Sequence, residues 1–88
     1  MSLLVVGLSH RSAPVGVLER VSVPVADASK VLADLLGREH VAEVLLLSTC
    51  NRVEVYAVVQ TFHGGLADIT DVLARQSAMA LDQLSDHL

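Results

Sequence analysis

Cysteine occurs once in these 88 residues, tryptophan not at all, and the aromatic set is limited to Tyr56 and Phe62. A single thiol forms no intrachain disulfide and offers one ligand toward a thiolate metal site, which fits a reducing compartment and no metal. Six Lys and Arg against ten Asp and Glu leave no basic stripe, and two aromatic rings make no stacking platform. A self-sufficient nucleic-acid binder needs these features, so the chain alone does not belong to that class. No apolar run is long enough to span a bilayer. The opening Met1-Ser2-Leu3-Leu4-Val5-Val6 has neither a basic n-region nor a small-residue cleavage pattern, so it reads as a first strand and not as a signal peptide. A cytoplasmic protein without membrane contact is expected.

What is present is aliphatic: 52% of the residues are hydrophobic, which marks a globular chain. A chain of this length buries roughly 60–65% of its unfolded surface, enough for one small core. The net charge of −4 is unevenly distributed, because residues 61–88 carry Arg75 against Asp68, Asp71, Asp82 and Asp86. That third of the chain reads as a solvated acidic surface.

Residues 3–8 form a continuous apolar run with two valines, the pattern of a central strand covered on both faces. Ser12 can cap a short helix over residues 13–20, with Pro14 in its first turn and Gly16 weakening it. A second helix starts at Pro24, carries Asp27 in its first turn and a stripe of Val31, Leu32, Leu35 and Leu36, and ends at Gly37. A second buried strand covers 41–47. After a polar connection, a third covers 53–59, with Val53, Val55, Ala57 and Val59 on one side. So short a connection requires an antiparallel pair. Gly64-Gly65 is expected to break the chain before a helix over 66–78, whose inner face is Leu66, Ile69, Val72 and Leu73, and 81–84 adds one further turn. The order strand, helix, strand, strand, helix predicts an α+β fold: a split βαβ, ferredoxin-like sandwich with an antiparallel sheet. Its fourth strand is expected to be truncated, with His87-Leu88 as its beginning.

The lone cysteine lies in Leu47-Ser48-Thr49-Cys50-Asn51-Arg52-Val53-Glu54-Val55-Tyr56, at the polar point between two strands. A structural cysteine is more usual inside an apolar run, where it behaves as a small hydrophobe. A thiol at neutral pH is mostly protonated, so a nucleophilic one needs neighbours that favour the thiolate. Three are within reach of the pattern: the charge of Arg52, backbone amides of the turn, and His10 at the end of the first strand. In a split βαβ sheet that first strand is expected in the centre, beside either the strand ending at Leu47 or the one starting at Val53. Each residue alone also has a plainer reading, with Cys50 as packing, Arg52 as a solvated charge, His10 as a turn residue, and His40 and His63 as surface residues. Glu54 either orients Arg52 or forms the polar face of its strand. Taken together the cluster points to Cys50 as a nucleophile.

The block Gly7-Leu8-Ser9-His10-Arg11-Ser12-Ala13-Pro14, followed some forty residues later by the block around Cys50, resembles glutamyl-tRNA reductase. The resemblance covers essentially all of residues 1–88 and implies the N-terminal part of that family's catalytic domain. It implies that Cys50 attacks the ester carbonyl of glutamyl-tRNA(Glu) and forms a thioester, which NADPH reduces to glutamate-1-semialdehyde, the committed precursor of tetrapyrroles such as haem. It further implies that Thr49, Cys50, Asn51 and Arg52 bind the glutamyl group, with Arg52 on its carboxylate, and that Ser9 and His10 line the same pocket. A planar guanidinium suits that contact because it holds both oxygens at once. An aminoacyl ester is already activated, so the attack needs no full Cys-His-Asn set.

No glycine fingerprint follows a strand and opens a helix, so NADPH is expected to bind outside these residues. The family's further catalytic-domain histidine and its helical dimerisation domain are likewise absent, and the 88 residues alone are expected not to complete the reduction. Most tRNA backbone contacts are expected elsewhere. For the full-length enzyme the resemblance implies a homodimer and hand-over of product to glutamate-1-semialdehyde aminotransferase. Two rival readings use the same residues. One is a non-catalytic carboxylate or amino-acid binding module, in which Arg52 and Thr49 hold the ligand and Cys50 is incidental. The other is a thiol redox sensor, which predicts sulfenic acid formation by peroxide.

Overall fold

The computed structural model describes the backbone of residues 1–88 and every side chain except that of Ser85. Its elements run β1 (Ser2–Ser9), α1 (Val15–Val21), α2 (Val25–Leu36), β2 (Val41–Ser48), β3 (Arg52–Val59), α3 (Phe62–Ser77) and α4 (Leu81–Ser85). The three strands lie in the order β1-β3-β2, with β3 antiparallel to both neighbours. β1 and β2 therefore run the same way with β3 inserted between them, which is the split βαβ arrangement; β1, expected in the centre, is an edge of this three-stranded sheet because only β3 pairs with it. The fold is α+β, with an open antiparallel sheet and a layer of helices.

The alternation on β3 sets the layers. Val53, Val55, Ala57 and Val59 are buried, and they meet Leu4, Val6 and Leu8 of β1 and Val41 of β2 on the same face. Leu18 and Val21 of α1, Val31 and Leu35 of α2, and Ile69, Val72 and Leu73 of α3 close over them. The opposite face is open. Leu3 is 73% exposed, Val5 50%, Leu45 63% and Leu47 38%, so β1 and β2 are each covered on one side only. This corrects the expectation of strands buried on both faces: an unbroken apolar run fits either case, and here every helix lies on the same side.

Both prolines stand one residue before their helices, Pro14 ahead of α1 and Pro24 ahead of α2. Ser12 does not cap α1. Its hydroxyl is turned back to Ser9, accepting from the Ser9 amide at 3.1 Å and donating to the Ser9 carbonyl at 3.3 Å. α3 begins at Phe62, four residues before the predicted start, with the Thr61 hydroxyl accepting from the Gly64 amide at 3.2 Å. Gly64 and Gly65 thus sit inside its first turn and not in a break. Gly65 is buried, and a Cβ there would run into the Val59 side chain, standing 2.6 Å from its Cβ. The glycine is what lets α3 approach β3.

Residues 86–87 form a turn and Leu88 is irregular, so they do not start a fourth strand. His87 Nδ1 instead lies 3.2 Å from the Ser12 carbonyl. No helix of the structure is long and apolar enough to cross a membrane.

Two substitutions test this packing. Gly65→Ala should lower stability by about 1–3 kcal/mol, as overpacking does, in a denaturant titration. Ala78, which ends α3 with φ 56°, is the only residue of positive φ among those described. Ala78→Gly should raise stability by about 1 kcal/mol, because an L side chain is strained in that region.

Candidate functional site

The hairpin between β2 and β3 is closed by a side chain. Three residues, Thr49, Cys50 and Asn51, connect the strands, and although short hairpin loops normally include a residue of positive φ, none of the three has one. The Thr49 hydroxyl supplies the missing acceptor, taking the amides of Asn51 and Arg52 at 3.2 Å each, while the Thr49 amide donates to the Arg52 carbonyl at 2.9 Å. Cys50 stands at the tip as an exposed free thiol. The turn amides of Asn51 and Arg52 are spent on Thr49, so they do not serve the sulfur as the sequence reading allowed.

The tip is anchored from two further directions. The Ser48 hydroxyl accepts from the Val23 amide at 2.9 Å, tying the hairpin to the link between α1 and α2. The His10 amide donates to the Asn51 carbonyl at 2.9 Å, and Ser9 lies opposite Arg52 in the sheet register. The two sequence blocks therefore meet, and they do so through backbone. The His10 ring is exposed and makes no hydrogen bond among the described residues. Ser9 is engaged locally, its hydroxyl accepting from the Arg11 amide at 3.2 Å and its carbonyl accepting from Ser12 and Ala13.

Below the tip, the open face of β3 presents Arg52, Glu54, Tyr56 and Val58 in succession. The Tyr56 hydroxyl donates to Glu54 Oε1 at 3.0 Å. Arg52 Nη1 stands 4.0 Å from the same oxygen. Glu54 thus lies on the polar face of β3, with its carboxylate near Arg52 but beyond hydrogen-bond distance. Opposite Glu54 lies Gly7, where a Cβ would stand 2.7 Å from the Val53 carbonyl and 2.9 Å from Glu54 Cγ. A bare α-carbon at 7 makes the room that the Glu54 stem occupies. Tyr56 escaped the sequence reading as a site residue, although its place two residues beyond Glu54 puts it on the same face.

The remaining polar clusters lie elsewhere. His40, read as a surface residue, is half-buried at the far end of β2, where Asp68 Oδ2 accepts from its amide at 3.0 Å and lies 3.0 Å from Nδ1. That pair pins α3 to the start of β2. A cleft of about 490 Å³ between α2 and α3 is lined by Lys30, Asp34, Arg38 and Arg75, and does not include Cys50. Nearby, Arg38 Nη2 donates to Asp71 Oδ2 at 2.6 Å and holds the Asp71 carboxyl below its ordinary value, with Arg75 adding to the effect. Among the described residues no group of three or more His, Cys, Asp or Glu side chains is placed to hold a metal ion.

The hydrogen bond to Glu54 raises the Tyr56 phenol above its usual 10.0, and the Glu54 charge adds to it. A raised value favours the protonated phenol in the fold, so this contribution is complete below pH 10 and is lost as pH rises through the folded value. Tyr56 is the sole tyrosine and tryptophan is absent, so ultraviolet titration reads it alone. The midpoint should lie above 10 and move back toward 10 in Glu54→Gln.

Comparison with known proteins gives one answer. Residues 6–88 match the family described as glutamyl-tRNAGlu reductase, N-terminal domain. Over its whole length the chain is 57% identical to the glutamyl-tRNA reductase of Frankia casuarinae, 58% to that of Frankia alni and 57% to that of Salinispora tropica. It spans 19% of the length of each of these relatives.

Proposed function

The chain belongs to the glutamyl-tRNA reductase family through its N-terminal domain, and from that premise we propose that Cys50 takes the glutamyl group from glutamyl-tRNA(Glu) as a thioester. The reduction that follows yields glutamate-1-semialdehyde for tetrapyrrole synthesis. One observation carries the reading. The only thiol of the chain is exposed at a hairpin tip that the register and the His10–Asn51 hydrogen bond place beside the Ser9-His10 block.

In the first step the Cys50 thiolate adds to the ester carbonyl carbon. The carbon–sulfur bond forms, the carbon–oxygen bond to the terminal ribose breaks, and the released tRNA oxygen takes up a proton. The fixed turn favours this by holding the nucleophile in one place: Thr49 braces the tip from within, and Ser48 and His10 brace it from both sides. Arg52, half-exposed with no hydrogen-bonded partner on its guanidinium among the described residues, is available for the side-chain carboxylate of the glutamyl group. Thr49 and Asn51 shape the pocket through the turn, and Ser9 and His10 form its wall.

NADPH would be the source of hydride for the reduction, bound outside these residues. The residues of this chain do not suit it: Gly7 lies within β1, Gly64 and Gly65 lie within α3 against His40 and Val59, and neither place offers a glycine loop leading from a strand into a helix. We therefore assign residues 1–88 to the first part of the catalytic domain. The cofactor domain, the helical dimerisation domain, most tRNA backbone contacts and the hand-over to glutamate-1-semialdehyde aminotransferase belong to the rest of a longer cytoplasmic homodimer.

The test is intact mass spectrometry after incubation with glutamyl-tRNA. A glutamyl adduct should form on the wild-type protein, disappear in Cys50→Ser, and be absent with a tRNA carrying an unrelated amino acid. A carboxylate-binding module would bind the glutamyl group through Arg52 in both proteins and carry no adduct in either.

A further inference from the structure

We propose that Tyr56 is a positioning residue: its hydroxyl holds Glu54 at a distance from Arg52, and so keeps the guanidinium open to an external carboxylate. The proposal rests on the thioester reading above and deepens it, by naming what sets the preference for an acidic over an amide side chain.

A glutamate two residues from an arginine on one strand face is the expected captor of that arginine. Closed, such a pair forms charge-assisted hydrogen bonds of about 2.7–2.9 Å and occupies the donors that a substrate needs. Here the pair stands at 4.0 Å. The oxygen nearest Arg52, Glu54 Oε1, is the one that accepts from the Tyr56 hydroxyl at 3.0 Å. Tyr56 itself lies between Val5 and Leu45 in the register, so its ring is flanked by aliphatic side chains on both neighbouring strands. Glu54 lies between Gly7 and Leu47, and its stem fills the space above the bare Gly7. The carboxylate is thus drawn down the strand, away from the hairpin tip. It directs the guanidinium by its field and leaves the N–H donors unclaimed.

This arrangement makes a prediction that a merely structural role for Tyr56 does not. Losing the hydroxyl frees Glu54 to close on Arg52 and compete with the substrate carboxylate. Removing the Glu54 charge as well abolishes the competitor and reopens Arg52.

The experiment measures single-turnover acylation of Cys50 in the full-length protein by intact mass, using tRNA(Glu) charged with glutamate or with glutamine. The quantity read is the ratio of the two second-order rates. Tyr56→Phe should lower the glutamyl-to-glutaminyl ratio roughly tenfold, the equivalent of one charge-assisted hydrogen bond. The double variant Tyr56→Phe with Glu54→Gln should regain most of the wild-type ratio, an outcome that a misfolded protein cannot give. An unchanged ratio in Tyr56→Phe, or a ratio that stays low in the double variant, overturns the proposal. If the wild type fails to discriminate, or Arg52→Lys leaves its ratio unaltered, the reading of Arg52 as the carboxylate contact fails, and the role of Tyr56 falls with it.

Discussion

Each side chain of β3 is committed to one of two faces by the two-residue period of a strand, and the layers of the molecule follow from that division. Its inward valines and alanine are buried and draw three helices to one side of the sheet. Its outward residues, Arg52, Glu54 and Tyr56, are carried to the other side and left half-open or exposed. A one-residue slip in pairing would exchange the sets, placing two charges in the core. Register is therefore fixed by burial, and the same register places Ser9 opposite Arg52 and Gly7 opposite Glu54.

The strands could be read from the residues because each signal was local, but their order in the sheet could not: the strand in the middle is β3, not β1. The alternation over 53–59 and the short polar connection before it dictate an antiparallel hairpin, and the structure has one. Pro24 and the apolar stripe behind it mark α2 equally well. The failures share a cause. Gly64-Gly65 looks like punctuation until Val59 is known to press on that turn, and the covering of β1 and β2 depends on where distant helices settle. Ser12 has the chemistry of a cap, but the chain turns so sharply after β1 that its hydroxyl is taken by Ser9.

At the site, the residue types were legible and the contacts between them were not. Cys50, Thr49 and Arg52 announce themselves by their place in a polar interruption. That Thr49 uses its hydroxyl on the two following amides, and that His10 contributes its backbone rather than its ring, are matters of turn geometry. Tyr56 looked like a strand aromatic of no special note. Only the bond to Glu54, whose carboxylate stands 4.0 Å from Arg52, sets it apart.

The pairing of β1 with β3 joins residues 2–9 to 52–59, whereas β2 meets β3 across a connection of a few residues. Closing a small loop costs less entropy than closing one of some forty residues, so the hairpin that bears Cys50 can form early and β1 must dock late. During synthesis the order is reversed, for β1 leaves the ribosome first. Its leucines and valines then wait, unpaired on both edges, until the strand that will shelter them has been made. The segment that carries Ser9 and His10 beside the hairpin tip is in this sense made before the hairpin and is the last to take its place against it.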